Sequence, residues 1–283
     1  MTKYVVYDVF TENAFGGNQL AVIPDATQLA EDDLQKIARE FNFSEVTFVY
    51  PPTNPGHTAK VRIFTPTMEV PFAGHPTIGT AIALRDLGHA GDMVMELGVG
   101  PIPCTFDGDL ASFTTSKALE LLDQPDPALV AEALGLTPGD LKTDVHVPQQ
   151  ASLGLPFVIC QLQNSDALNR CSPSLDAIKR GAGQHPVGHD FSLYAYVCEG
   201  DEIQSRMFAP LDNIPEDPAT GSAAATLAAL LTEKLGTAQT LNITQGTAMG
   251  RPSQITATTD QSTPVAVTIH GQAVKTMQGE LVF

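Results

Sequence analysis

One pattern occurs twice in this chain, and it constrains the fold more than any other feature of the sequence. Arg62-Ile-Phe-Thr-Pro66 and Arg206-Met-Phe-Ala-Pro210 match, and each is followed five residues later by a further proline. Each copy then leads into a Pro-x-x-Gly-[Thr/Ser]-Ala segment, which begins at Pro76 in the first copy and at Pro218 in the second. Two copies of a strand, a loop and a helix predict a chain built from two similar halves.

The second copy contains an uncharged helical segment. No charged residue occurs from Pro218 to Thr232, and a helix that is apolar on nearly every side is usually buried all round. Asp217 lies directly before Pro218, which predicts an Asx cap with proline at the first helical position. The N-terminal amides and the dipole of such a helix form an anion site, with Asp217, Thr220 and Ser222 beside it.

The repeat also pairs residues that differ in chemistry. His75 and Asp217 are counterparts, because each stands immediately before the proline of its helix segment. Gly79 and Gly221 fall inside the apparent helices, where glycine costs about 1 kcal/mol relative to alanine. Close packing of helix on sheet is the simpler explanation for these glycines, and close approach of a ligand is the alternative.

The strand and helix patterns predict an α+β fold. Many short strands and one long apolar helix per half indicate a curved, mostly antiparallel or mixed sheet wrapped around each central helix. The 283 residues suit two domains of ordinary size or one large one, and the repeat favours two. We expect domains at 1–125 and 126–283, with the extreme C-terminal strand as a further component of the first. A cleft between two such domains is the default place for an active site.

Composition narrows the classes of partner and the compartment. Thirty-two acidic and fifteen basic residues give a formal charge of −17, which argues against nucleic acid and anionic membranes as partners. The four cysteines form no C-x-x-C pair, so we expect reduced, mostly structural thiols in a cytoplasmic protein. The N-terminus has no signal-peptide pattern, and no apolar run approaches the roughly 18 residues of a membrane span.

The residue patterns alone leave the chemistry open. A glutamate such as Glu45 within a strand is more often solvated than catalytic, and a lone histidine such as His75 is more often structural. Asp217 has a structural explanation as a helix cap, and a functional role is the alternative. No P-loop or G-x-S-x-G elbow occurs, and a metal site has little support. Acid/base chemistry by side chains, without metal or cofactor, is therefore the leading enzymatic option.

Six segments, in order along nearly the whole chain, match the sequence pattern of a known family. It resembles the phenazine-biosynthesis PhzF-like family, whose relatives include diaminopimelate epimerase. One small departure is Gln19, where members of the family often have proline. The matching segments are Tyr7-Asp-Val-Phe-Thr with Gly17-Asn18, Phe43-Asn-Phe-Ser-Glu-Val-Thr-Phe-Val, Arg62-Ile-Phe-Thr-Pro, Phe72-Ala-Gly-His-Pro-Thr-Ile-Gly-Thr-Ala, Glu216-Asp-Pro-Ala-Thr-Gly-Ser-Ala and Gln245-Gly-Thr-Ala-Met-Gly-Arg-Pro-Ser.

The resemblance implies two pseudo-symmetric domains, a homodimer, and isomerase chemistry without metal or organic cofactor. In the characterised branch of the family the substrate is a cyclic dihydro-hydroxyanthranilate, and the shuttling glutamate matches Glu45. The site histidine, aspartate and serine match His75, Asp217 and Ser222. We therefore expect catalysis by Glu45, His75 and Asp217. The expected substrate-binding residues are Asn18, Gly74, Thr77, Gly221, Ser222 and Gln245.

Three functions remain possible from the sequence. The first is an isomerase that moves a proton between carbons of a small unsaturated or cyclic carboxylic acid. The second is an amino-acid-type racemase or epimerase that uses Glu45 and Asp217 as opposed acid and base. The third is a non-catalytic small-molecule-binding or interaction protein of the same fold. A thiol-based racemase is disfavoured, because the two helix mouths hold His75 and Asp217 where it would need cysteines.

Overall fold

The computed structural model describes residues 1–187 and 191–283, in which the chain forms two units. Unit 1 comprises Met1–Thr115 together with Ile269–Phe283, and unit 2 comprises Ser116–Thr268. No helix in these described ranges is long and apolar enough to cross a membrane.

The helices are α1 Glu31–Phe41, α2 Gly74–Asp86, α3 Pro127–Ala133, α4 Ser165–Arg170, α5 Leu175–Gln184 and α6 Gly221–Leu235. Short 3-10 helices occupy Pro138–Asp140, Pro210–Asp212 and Thr247–Met249. The strands are β1 Thr2–Val9, β2 Asn18–Ile23, β3 Glu45–Tyr50, β4 Ala59–Phe64, β5 Glu69–Val70, β6 Met93–Leu97, β7 Gly100–Asp107, β8 Leu110–Thr115, β9 Glu120–Asp123, β10 Leu141–Lys142, β11 Gln149–Ser152, β12 Pro156–Leu162, β13 Leu193–Glu199, β14 Glu202–Ala209, β15 Ile214–Asp217, β16 Thr240–Gln245, β17 Ser253–Thr259, β18 Val267–Gly271 and β19 Ala273–Leu281.

The sheet of unit 1 is mixed and mostly antiparallel. β1 pairs antiparallel with both β19 and β2, so the last strand of the chain lies beside the first. β2 then runs parallel to β3, and β3 runs antiparallel to β4. β4 pairs parallel with β6, after which β6, β7 and β8 follow as antiparallel neighbours.

Unit 2 repeats this order of pairings. β11 is antiparallel to β12, β12 is parallel to β13, and β13 is antiparallel to β14. β14 is parallel to β16, and β16 is antiparallel to β17. The sequence of pairings from β1 to β7 therefore matches the sequence from β11 to β17. The internal repeat of the sequence corresponds to a repeat of topology, as we expect from the two matching segments.

One helix in each unit is buried against its own sheet. α2 contacts β1, β2, β3, β8 and β19, and its residues 74–84 are all buried. α6 contacts β11, β12, β16 and β17, and from Ala223 to Thr232 it is buried on every side. The predicted absence of a solvent-facing side is thus confirmed for both helices. Gly79 has the packing explanation, because a Cβ there would lie 2.6 Å from side-chain atoms of both Leu20 and Val9.

The arginine of each repeated segment holds a short hairpin together. Arg62 binds both carboxylate oxygens of Glu69, at 2.8 and 2.6 Å, and its guanidinium lies over the Phe64 ring. Arg206 binds Glu216 in the same two-pronged way, at 2.8 and 2.7 Å. Its guanidinium lies 4.8 Å from the centre of the Phe208 ring. These arginines therefore join the strands that lead into α2 and α6.

The helix starts differ from the sequence prediction. Asp217 is the last residue of β15, and α6 begins only at Gly221, with Thr220 as the cap residue. The prediction that Asp217 caps this helix, with Pro218 at its first position, is therefore wrong. In unit 1 the helix instead begins before the proline, at Gly74, so His75 lies inside its first turn. Three residues separate Asp217 from the helix, and its carboxylate accepts a hydrogen bond from the Thr220 side chain.

Two glycines near Asp217 provide a matched test of this packing. Gly246 and Gly250 have nearly equal left-handed φ angles of 76° and 72°. A Cβ on Gly246 would lie 2.4 Å from the Arg251 carbonyl oxygen and 2.6 Å from that of Pro218, whereas a Cβ on Gly250 meets nothing within 4 Å. We expect Gly250→Ala to lower the free energy of unfolding by about 1–2 kcal/mol, the cost of left-handed backbone.

Gly246→Ala should cost a further 1–3 kcal/mol, roughly, because backbone atoms must also move apart. Urea unfolding of the two variants measures the difference. Equal midpoints for the two variants would contradict the close approach of the Gly246 loop to the segment that follows Asp217.

Candidate active site

In unit 1, a carboxylate and a histidine meet at the start of the buried helix. Glu45 is the first residue of β3 and lies beside Leu20 of β2 in the sheet register. His75 is the second residue of α2. Glu45 Oε2 lies 3.3 Å from His75 Nδ1, and the two side chains are 15% and 4% exposed. The fold therefore brings together two of the three predicted catalytic residues.

Asn18 joins this cluster through a loop that requires glycine. The Asn18 side chain is buried, and its Nδ2 lies 3.5 Å from His75 Nδ1. Gly17 precedes it with a φ of +57°, and a Cβ at Gly17 would lie 2.2 Å from the Val9 carbonyl oxygen. A residue with a side chain would push the loop away from β1. The Gly-Asn pair of the sequence thus sets the position of the amide beside the imidazole.

The histidine of this cluster is neutral at neutral pH. Burial lowers the pKa of His75 to about 3, and a hydrogen bond with the backbone of Gln19 acts weakly in the opposite direction. Desolvation disfavours the charged imidazolium because the low-dielectric interior solvates charge poorly. The contact between His75 and Glu45 is therefore between a neutral ring and a carboxyl group, and no full positive charge lies on the ring.

Gly74 and Thr77 lie in the first turn of the same helix. Gly74 is the first residue of α2, and both residues are buried. The Thr77 hydroxyl donates to the Ala73 carbonyl oxygen at 2.7 Å, which secures the start of the helix. The structure thus brings the unit 1 members of the predicted site to one helix end. A contact of Gly74 or Thr77 with substrate stays a prediction.

In unit 2, Asp217 forms a second cluster near the start of α6. Asp217 is buried, and its Oδ2 accepts a hydrogen bond of 2.5 Å from the Thr220 hydroxyl. Gly221 and Ser222 are the first two residues of the helix. Ser222 is only half-buried, while Gly221 and the residues from Ala223 to Thr232 are buried. The serine hydroxyl is therefore the most accessible polar group of the first helical turn.

Gln245 supports this cluster from the adjoining strand. Its Nε2 donates to the Asp217 carbonyl oxygen at 2.8 Å and to Thr220 Oγ1 at 2.9 Å. Its Oε1 accepts from the Thr220 backbone N–H at 3.3 Å and from the Ser205 hydroxyl at 3.5 Å. Both ends of the amide therefore hold the segment between Asp217 and α6. A direct contact of Gln245 with substrate stays a prediction.

A row of buried polar side chains extends from Gln245 across the sheet. In the strand register Tyr196 lies opposite Ser205, Ser205 lies opposite Gln245, and Gln245 lies opposite Ser253. The Ser253 hydroxyl donates to the Pro218 carbonyl oxygen at 2.8 Å. Sequence reasoning did not assign Ser205 or Ser253 a place near the site, because their proximity depends on pairing between distant strands. Ser253 does close the last of the six matching segments, which is the one available signal.

In residues 1–187 and 191–283, no group of three or more His, Cys, Asp or Glu side chains is arranged to hold a metal ion. The Glu45 cluster and the Asp217 cluster consist of carboxylate, imidazole, amide and hydroxyl groups. These groups can donate, accept and transfer protons.

Comparisons with known proteins cover nearly the whole chain. The model of the phenazine biosynthesis-like proteins, PhzC-PhzF, matches residues 7–279. An uncharacterised isomerase from Mesorhizobium japonicum is 40% identical, with 99% of this chain and 98% of the relative covered. A trans-2,3-dihydro-3-hydroxyanthranilate isomerase from Pseudomonas fluorescens is 35% identical over 89% of this chain and 88% of the relative.

A solved structure supports the fold. The crystal structure of a PhzF-family phenazine biosynthesis protein from Bacillus anthracis superposes with a TM-score of 0.87 at 22% identity, covering 100% of this chain and 99% of the other. The predicted diaminopimelate epimerase-like α+β fold is thereby confirmed. Together with the match along residues 7–279, the likeness to named isomerases shows that the chain belongs to the phenazine biosynthesis-like PhzC-PhzF family.

Proposed function

We propose that this isomerase moves a proton between two carbons of a small unsaturated or cyclic carboxylic acid, by general acid/base catalysis without a cofactor. The observation that carries the proposal is the Glu45 carboxylate, held 3.3 Å from a buried His75 at the start of α2. A positioned carboxylate within reach of a carbon activated by neighbouring unsaturation can remove its proton and return it to another carbon.

Because His75 is neutral, it does not weaken Glu45 as a base. A cation beside a carboxylate stabilises the ionised form and weakens it as a base. Burial keeps His75 uncharged, so its imidazole can orient a substrate without opposing proton uptake by Glu45. His75 and Asp217 are accordingly assigned to orienting substituents of the substrate.

The start of α6 is assigned to the substrate carboxylate. A helix N-terminus carries roughly half an elementary positive charge and free backbone N–H groups. Ser222 adds an accessible hydroxyl to this turn, and no charged residue lies between Pro218 and Thr232. An anionic group can therefore bind through neutral donors, even on a chain with a formal charge of −17.

The name of one relative suggests a first substrate to test. The Pseudomonas fluorescens relative is a trans-2,3-dihydro-3-hydroxyanthranilate isomerase, and this compound is a cyclic unsaturated acid. The 40% identical relative is an isomerase without a named substrate, so we extend the proposal to the class of compound and not to this one alone. A homodimer, which the family resemblance implies, is also proposed.

Glu45→Gln keeps the shape of the side chain but removes the base. We expect this variant to lower turnover of trans-2,3-dihydro-3-hydroxyanthranilate, or of a substrate found by screening, by at least about 100-fold. Deuterium from D₂O should enter the product with the wild type but not with the variant, as measured by NMR and mass spectrometry.

Glu40→Gln is the matched control, because Glu40 is an exposed residue of α1. This variant should retain full turnover. Near wild-type turnover by Glu45→Gln would contradict the assignment of Glu45. In the wild type, a moved double bond supports the isomerase. Inversion at a single carbon would identify an epimerase, and binding without exchange would identify a non-catalytic protein.

Thr220→Val tests whether the Thr220 hydroxyl holds the Asp217 carboxylate in place. The substitution keeps the side-chain shape but removes the hydroxyl that donates to Asp217 and accepts from Gln245. We expect a loss of about 1–3 kcal/mol in the free energy of unfolding, since buried polar groups lose their partner. Turnover should fall by roughly tenfold or more because the carboxylate is no longer held in place.

Thr232→Val provides the comparison at the far end of α6, where the hydroxyl binds the Ala228 carbonyl and Thr259. It should lower stability without changing turnover, whereas Thr220→Ser should restore the turnover lost in Thr220→Val. If both valine variants reduced turnover equally, the effect would come from general destabilisation and the assignment to Asp217 would be wrong.

A further inference from the structure

His75 has one ring nitrogen surrounded by protein groups and one without a protein partner. The side chain is 4% exposed, and Nδ1 faces Glu45 Oε2 at 3.3 Å and Asn18 Nδ2 at 3.5 Å. Nε2 is buried and has no hydrogen-bond partner in residues 1–187 and 191–283. A buried polar atom of this kind is costly unless a ligand or water satisfies it.

The two nitrogens of a neutral imidazole have opposite roles. One carries the proton and donates, and the other has a lone pair and accepts. The neutral state follows from the burial of the ring, which outweighs the bond with the backbone of Gln19. The hydrogen-bonding character of Nε2 is therefore decided by the groups that face Nδ1.

The groups around Nδ1 are mainly acceptors. The backbone bond with Gln19 favours the protonated ring, so the backbone group is a carbonyl, which only accepts. This bond falls on Nδ1, because Nε2 has no partner in the described ranges. A carboxylate oxygen of Glu45 lies 3.3 Å from Nδ1, and two lone pairs facing each other at this distance would repel, so it too favours a proton on Nδ1. Among these groups the Asn18 amide is the one possible donor, with its Nδ2 3.5 Å from Nδ1, and rotation of the amide exchanges its N and O atoms.

We propose that His75 keeps its proton on Nδ1 and presents only the lone pair of Nε2 to a ligand. The ligand group at this point must then be a donor, such as a hydroxyl or an amine. A carboxylate or carbonyl oxygen would place two lone pairs against each other, and this site would reject it. His75 thus acts as a specificity-determining acceptor and does not serve as the acid that protonates the substrate.

The consequence for the substrate rests on the proposed function, and it narrows the class of substrate. The carboxylic acid must carry a hydroxyl or amino group near the carbons that exchange the proton. The same tautomer places the carboxylate of the substrate away from His75.

The tautomer should persist across the working pH range because few titratable groups face the ring. Glu45 is the charged partner at ion-pair distance among the described residues. On the same helix, Asp86 accepts a hydrogen bond from Tyr7 at 2.7 Å. The titratable side chains on the strands packed against α2 are Lys3, Tyr4, Tyr7, Asp8, Glu45, Tyr50, Lys275 and Glu280.

NMR of the ligand-free protein with ¹⁵N-labelled histidine tests the tautomer directly. From about pH 5 to about pH 9, the His75 signals should show a protonated Nδ1 and a bare Nε2, although free histidine titrates in this range. His75→Gln identifies the signals by their loss. A proton on Nε2, or on both nitrogens, would overturn the inference.

His146 is a built-in control for this measurement. Its Nδ1 lies 2.8 Å from the Val147 carbonyl oxygen, and its Nε2 lies 2.8 Å from the Tyr196 hydroxyl. A carbonyl accepts only, so His146 must hold its proton on Nδ1 when neutral. Its signals therefore mark the pattern that the same tautomer produces at His75.

Binding of matched acids tests the consequence for substrates. The probes are 2-amino-3-hydroxybenzoate and its analogues with fluorine in place of the hydroxyl, of the amino group or of both. Loss of the donor that meets Nε2 should weaken binding by at least about tenfold, since the buried acceptor is left unpaired. Equal affinity for the parent and the difluoro analogue would contradict the inference. If none of the four acids binds, the proposed substrate class fails, and the NMR result still decides the tautomer.

Discussion

The burial of an uncharged helix inside each sheet is the constraint on which the rest of the structure depends. Side chains of α2 and α6 are enclosed along most of their length, so neither helix has a polar side that faces water. Their backbone dipoles and free N–H groups emerge only at the ends. The polar residues of both units collect at the N-terminal ends of these helices, where burial of apolar surface and a demand for hydrogen-bond partners coincide. Such helix ends are suited to bind a small anionic or polar molecule.

The two units share the contacts that support the start of the buried helix, but they carry different side chains at that start. In each unit an arginine binds a glutamate through two hydrogen bonds and covers a phenylalanine ring, which fixes the hairpin before the helix. The residues at the helix starts are under no such shared requirement. One unit has an imidazole inside the first helical turn, and the other has a carboxylate four residues before the start of the helix. The repeated pattern in the sequence is thus mainly a pattern of structural support, and the two copies differ at His75 and Asp217, to which the proposed function assigns roles.

The sequence predicted the elements that depend on local patterns, and it failed where distant strands decide the geometry. Helix α1 is an example of such a local pattern, because its buried residues Leu34, Ile37 and Ala38 repeat at helical spacing. The start of α6 was predicted wrongly, since an Asp-Pro pair is a common helix signal and the Thr220 cap is a local alternative. The support that Gln245 gives to Asp217 follows from the pairing of β14 with β16, which no local pattern contains. The family resemblance supplied Glu45, whose strand pattern alone favours an ordinary solvated residue.

In the proposed reaction, neutral partners let an acidic chain use a carboxylate as a base on an acidic substrate. A lysine or arginine beside Glu45 would attract the substrate but would also stabilise the ionised carboxylate and weaken its ability to take up a proton. A buried imidazole that accepts from the ligand avoids this conflict, because it orients the substrate without adding charge. A helix N-terminus likewise binds an anionic group with little effect on a distant carboxylate, because its partial positive charge acts only over a short range. Binding and proton transfer can therefore be strengthened together, and this arrangement depends on keeping His75 out of water.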